Sequence, residues 1–164
     1  MRYVIAISIL IVFFVQVHLS VLNTGYQEQA LQRVTYALEN ASHAASMQVT
    51  SASVSDGYPV FDQTQADAIF REVIASNMKL DANTLSPLAG SMFKQPLTVE
   101  LEQFVDYSNT PSFPYHYSNP AYGIDVVLNG PSIVYVVKIP IPQVWTKNAA
   151  YDREWSTVAA YPDK

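Results

Sequence analysis

The first 22 positions read MRYVIAISILIVFFVQVHLSVL, with one formal charge at Arg2 and the next only at Glu28. Between Tyr3 and Leu22 the apolar run is interrupted by Ser8, Gln16, His18 and Ser20 alone. About 20 mainly apolar residues, rising ~1.5 Å each, suffice to cross a ~30 Å hydrocarbon layer. From Leu19 the pattern becomes one-sided. Leu19, Leu22, Tyr26, Ala30, Val34, Ala37, Leu38, Ala41, Ala44 and Ala45 recur at steps of three and four, the signature of one helix face. Gln27, Glu28, Gln32, Arg33, Glu39 and Asn40 fall mostly on the other face, and no proline precedes Pro59. The prediction is a single helix from near Tyr3 to near Ser51, roughly 49 residues or about 73 Å long. Gly25 is its one weak point. The small-residue run ALENASHAAS (37–46) admits a second backbone at close range, either the protein's own sheet or a helix of another subunit.

Beyond this stem, SVSDGYP (53–59) reads as a helix exit and turn. A second helix is predicted with Thr64 as N-cap, Ala66, Ile69, Phe70, Val73 and Ile74 as its apolar face, and an end near Asn77. The period then changes to two. In LTVELEQFVDY, Leu97, Val99, Leu101, Val105 and Tyr107 alternate with Thr98, Glu100, Glu102 and Asp106, as in a half-buried strand. GIDVVLNGPSIVYVVKIPIP predicts a hairpin turning at Asn129-Gly130, with Pro140 and Pro142 limiting further pairing to an edge. The tail REWSTVAAYP is a candidate last strand. Helices followed by antiparallel strands make an α+β domain, here a long N-terminal helix packed on a small antiparallel sheet. The predicted organisation is a membrane or filament-core segment at 1–22, an amphipathic stem at 23–55 and an α+β head at 56–164.

Between the first strand and the hairpin lies YSNTPSFPYHYSNPAYG (107–123), too irregular for a strand. Phe113, Tyr115, His116, Tyr117 and Tyr122 either form an exposed contact loop or close over the sheet edge, and lid packing is the favoured expectation.

Charge and composition narrow the functional classes. The chain of 164 residues carries a net −5; setting Arg2 aside leaves 8 Lys+Arg against 14 Asp+Glu beyond residue 22, or −6. Such a surface gives no reason to expect nucleic acid or an anionic lipid as a partner. With no cysteine there is no disulfide, thiol nucleophile or Cys-based metal site. His18, His43 and His116 form no HxxxH or HExxH pair, LAGSMF is not a G-x-S-x-G elbow, and no phosphate-cradling glycine motif occurs. Glu100 and Glu102 are expected on a solvated strand face. The expectation is no enzyme, no cofactor and no metal. No small-x-small cleavage site follows the apolar run, so it is expected to be retained as an anchor. Arg2 at its start favours a cytoplasmic amino end and an extracytoplasmic head.

A charge-poor N-terminal helix leaving the membrane as an amphipathic stem, with a small antiparallel head, resembles the type IV pilin superfamily. It is most similar to minor, pseudopilin-like subunits of Tad (tight-adherence) pili and related Gram-positive systems. The resemblance covers the stem (3–51) and the order of elements in the head. It implies a structural subunit or accessory pseudopilin of a cell-surface filament or secretion machine, with roles in adhesion or secretion. Copies of itself or other pilin-like subunits would be its partners, with assembly through Tyr3, Ile7, Leu10, Ile11, Phe14, Leu19, Leu22 and Tyr26. The family's leader, ending in Gly before a Phe or Met, has no counterpart, since the first glycine is Gly25. Either a leader precedes this numbering or the chain is not a prepilin-peptidase substrate. The family's early Glu is also missing, the first acidic residue being Glu28, which puts the usual amine–carboxylate register contact in doubt. The alternative expectation is a single-pass, membrane-tethered binding module whose 107–123 loop meets a surface ligand.

Overall fold

A computed structural model of the chain describes residues 2–110, 112–145 and 148–162. Helix α1 runs from Arg2 to Ser46 without a break, 45 residues or about 68 Å at ~1.5 Å each. It ends one turn earlier than the apolar pattern suggests, and Ser51–Ser55 forms a separate short helix, α2. The bridge between Val49 and Phe61, with Thr50 N–H donating to Val60 O and Asp62 N–H to Gln48 O, takes up the backbone that would have continued α1.

Helix α3 spans Gln63–Met78 and buries Ala66, Phe70, Ile74, Ala75 and Met78. Its N-cap is Asp62 rather than Thr64, the Asp62 carboxylate accepting the Gln65 N–H at 3.0 Å. A carboxylate at this position both caps the helix and meets the positive end of its dipole, so the helix starts there. Ile69 and Val73, predicted on the apolar face, lie at its half-buried margin.

Five strands follow: β1 (Thr98–Val105), β2 (Tyr115–Asn119), β3 (Ile124–Leu128), β4 (Ser132–Pro142) and β5 (Ala149–Ala160). They form a three-stranded antiparallel sheet in the order β1-β4-β5 and a separate two-stranded β2-β3 hairpin. The fold is α+β, with the long helix on the small antiparallel sheet. Residues of α1 and α3 share one core with Ile133, Tyr135, Val137, Ile139 and Ile141 of β4. On the opposite face of β4, Val134 and Val136 pack with Ile124 beneath Leu101, Tyr117, Tyr122 and Val126. The head therefore has three layers: helices, sheet and outer hairpin.

Two predictions about the strands are corrected. β3 and β4 do not pair with each other; β3 pairs with β2, and β4 lies between β1 and β5. A two-residue turn at Asn129-Gly130 needs an N–H on the residue that follows, to bond back to Leu128 O, and that residue is Pro131. The chain instead crosses from one layer to the next at this point. The segment 107–123 also contains a strand after all. Tyr115–Asn119 pairs antiparallel with β3, and the connection closes through a 3₁₀ turn at Pro120–Tyr122 and Gly123 at φ 63°, where a glycine bears no steric cost.

The alternation of β1 is interrupted as well. Val99 pairs with Val137 and Leu101 with Val136, which leaves Glu100 as a bulge. Past the bulge the faces exchange: Leu101 turns to the outer core, while Glu102 and Phe104 turn toward the helices. The two prolines of β4 obey the predicted restriction. β1 pairs with β4 only as far as Lys138, so Pro140 and Pro142 sit where β4 has a neighbour on one side alone, β5.

Small residues set the helix-to-sheet distance. Ala30, Ala37, Ala41 and Ala45 are fully buried, as are Val34 and Leu38, and the Ser42 and Thr157 hydroxyls meet at 3.2 Å between α1 and β5. The buried face of the run 37–46 is thus taken up by α3 and the protein's own sheet. At the centre of the core the ring of Phe70 stacks on Tyr135, 3.8 Å between centroids and 9° from parallel. Phe70→Ala should lower stability by about 3–5 kcal/mol, the range for an aromatic removed from a close-packed core. Thermal or denaturant unfolding of the variant measures this.

Candidate functional site

Two surfaces drew attention from the sequence, and the structure treats them differently. The first is the leading half of α1. Every described side chain from Tyr3 to Leu22 is exposed, and the least exposed of the large apolar ones, Leu19, still shows 38% of its surface. Tyr3, Ile7, Leu10, Ile11, Phe14 and Leu22 all stand bare, with Leu10 at 70%. Helical pairing satisfies the backbone internally, and Ser8 turns its hydroxyl back to Val4 O at 2.9 Å. His18 lies against Phe14, ring centroids 4.5 Å apart. This is one apolar helix, near the N-terminus, long and apolar enough to cross a membrane, a property that signal sequences share. Tyr26 belongs elsewhere: it is half-buried, and its hydroxyl donates to Met92 O at 2.8 Å. Bare helix ends and head begins within one turn, at Asn23–Tyr26.

The second surface is the 107–123 segment. Its root is fixed by Asp106, fully buried, whose carboxylate accepts the Phe61 N–H at 2.9 Å, the Ser108 N–H at 2.8 Å and the Ser108 hydroxyl at 2.6 Å. Tyr107 stands edge-on to both Tyr58 and Phe113. Phe113, Tyr117 and Tyr122 are half-buried, the last two over the outer core. Tyr115 and His116 are exposed, and His116 pairs with Asp125 across the hairpin. The segment is thus mainly a cover for the sheet, with an exposed rim at Tyr115 and His116. Beside that rim runs a shallow groove along the open edge of β1, lined by Gln103, Asn109, Thr110 and Tyr115 among others.

Two polar groups went unread in the sequence: Asp106, set among the polar positions of β1, is fully buried, and Glu102 is half-buried against the core. Glu102, expected on a solvated face, is turned inward by the Glu100 bulge and accepts the Tyr135 hydroxyl at 3.0 Å. Burial, more than any neighbouring charge, raises the Glu102 carboxyl above its ordinary range; the Tyr135 hydrogen bond opposes that rise. The Tyr135 hydroxyl is itself raised by burial and by the adjacent carboxylate. Asp67 and Arg71 form an i,i+4 ion pair at 2.8 Å close by on α3. Only a bulge could betray this pairing in advance, and a bulge leaves no residue signature in ELEQ. Among the described residues no group of three or more His, Asp or Glu side chains is gathered to hold a metal. Comparison with protein-family models, curated proteins and solved structures gives no match.

Two outcomes follow. A carboxyl raised on folding favours the folded state while protonated; that contribution is complete below its unfolded value and fades as the pH rises through the folded one. Glu102→Gln keeps an acceptor for Tyr135 and removes the ionisation. It should raise the melting temperature at neutral pH and flatten its fall between acidic and neutral pH, as scanning calorimetry across that range will register. For the loop, Tyr115→Ser should leave stability within about 0.5 kcal/mol. Tyr117→Ser, which uncovers the outer core, should cost about 2–4 kcal/mol. Parallel urea titrations of the two variants separate cover from rim.

Proposed function

We propose that the chain is a structural, pilin-like subunit of a cell-surface filament or secretion machine, anchored and then assembled through the leading half of α1. The observation that carries this reading is the continuity of α1: the bare apolar half passes into the head core as one helix, with no flexible linker between them. A tether for a free binding domain works best with slack between anchor and domain. A subunit that must present its head at a set angle in an assembly needs a rigid joint. Arg2 holds the amino end on the cytoplasmic side before assembly, and the head lies outside. Lipid covers Tyr3–Leu22 in that state; in the filament the same surface is covered by the helices of other subunits.

The second reading, a membrane-tethered binding module, rests on the exposed rim at Tyr115 and His116 beside the β1 groove. The two readings differ in what the leading helix tolerates. In lipid, an apolar helix gains little by exchanging lipid for another helix, so an anchor accepts apolar substitutions. In a filament surrounded by water, each buried Leu or Ile contributes about 1.5–3 kcal/mol. Ile7→Ala with Leu10→Ala should preserve the yield in the membrane fraction and reduce or abolish filaments sheared from the cell surface. Filaments undiminished by the double substitution, or none formed by the wild type, would favour the tethered module.

A further inference from the structure

The underside of the head, where α1 emerges, carries apolar surface that the core does not use. Two hydrogen bonds fix loops against the emerging helix: Val144 N–H donates to Asn23 Oδ1 at 3.2 Å, and the Tyr26 hydroxyl donates to Met92 O. Val21, Leu22 and Val144 border one shallow depression, and Val144 continues into a second with Trp145, Leu88 and Lys94. Leu88 is presented by a turn in which its N–H bonds to Lys79 O and its carbonyl accepts from Ser91 N–H. Trp145 is 62% exposed and Leu88 54%. The bare surface of Tyr3–Leu22 is thus continued onto the head through Val144 to Trp145 and Leu88, where apolar side chains alternate with polar groups of Ser91 and Lys94.

We propose that this face is an interfacial anchor: Trp145 and Leu88 rest among the headgroups of the bilayer, with Lys94 meeting lipid phosphate. The occupant is lipid because the patch continues the surface of the helix that enters the bilayer, at the level where that helix leaves it. A Trp at that level is in the environment its amphipathic ring favours, and a Lys beside it can extend its charge to the phosphate plane. The net charge of −6 beyond residue 22 would otherwise hold the head off an anionic surface; Lys94 lines the face that must approach it, and the Lys79 ammonium lies beside Gly90 on the same face. The anchor fixes the tilt of the head on the membrane and gives the subunit a second hold there, to be broken when it leaves. It rests on the reading of Tyr3–Leu22 as a membrane span.

The test uses the full chain with Trp155→Phe, which leaves Trp145 as the sole tryptophan, in phosphatidylcholine/phosphatidylglycerol vesicles at high lipid excess. Spin-labelled lipids carry the quencher either at the headgroup or near the end of the acyl chain. The expected result is blue-shifted Trp145 emission, quenched about twofold more by the headgroup label than by the chain-end label. Because Trp155 packs at the core margin, the difference between wild type and Trp145→Phe gives the same quantity with Trp155 intact. Co-flotation with vesicles while Trp145 emits as in water would overturn the anchor and leave the span standing. A blue shift that disappears on dilution with lipid would assign the face to a second copy of the chain, also against the proposal. Failure to co-float would remove the span and the anchor together.

Discussion

Strand β4 must be covered on both faces, because Ile133, Tyr135, Val137, Ile139 and Ile141 point one way while Val134 and Val136 point the other. Each such side chain left in water would forfeit about 1.5–3 kcal/mol, so neither face can remain open. The helices take the first face and the β2-β3 hairpin takes the second. This double demand explains why β4 lies at the centre of the sheet and why the chain leaves it at Pro131 instead of folding β3 back along its edge. It also explains the use made of the 107–123 aromatics, whose rings supply much of the area that closes the outer layer.

The same helix presents two kinds of surface. From Ala30 onward, α1 has a narrow stripe of Ala, Val and Leu that fits a close sheet contact; before Leu22 it has apolar side chains on every side. A uniformly apolar helix is stable in lipid or within a bundle, whereas a one-sided helix is stable on a sheet. The sequence changes from one to the other within a turn around Asn23, and the two hydrogen bonds at Asn23 and Tyr26 mark the crossing. Nothing in this span of helix is built to bend. Gly25 lowers helix propensity there, but the segment remains helical because the head braces it immediately beyond.

Long-period patterns in the sequence were the most legible part of the fold. The helical face of α1, the core face of α3 through Phe70 and Ile74, the strand character of β1, β4 and β5, and the α+β class all follow from apolar spacing alone. What spacing could not convey was pairing. The Asn129-Gly130 turn looked decisive until the missing N–H of Pro131 is considered, and β2 lay hidden among prolines that interrupt the sequence but not the Tyr115–Asn119 ladder. The Glu100 bulge reversed the facing of Glu102 because one unpaired residue shifts a period-two pattern without altering its letters. Of the surfaces singled out, the bare helix was readable to the residue apart from Tyr26. The aromatic segment was readable only as a pair of alternatives, since exposure of Tyr115 against burial of Tyr117 depends on which neighbour the strand chooses.

The unbroken α1 has a further consequence, for angular phase. Each residue of an α-helix turns the chain by about 100° and advances it ~1.5 Å. The number of residues between Leu22 and Ala30 therefore sets the compass bearing of the head relative to the apolar stem, as a key's bit is set by its shaft. A residue gained or lost there would leave both halves chemically intact while pointing Tyr115, His116 and Trp145 in a different direction. Length, in this segment, carries information that composition does not.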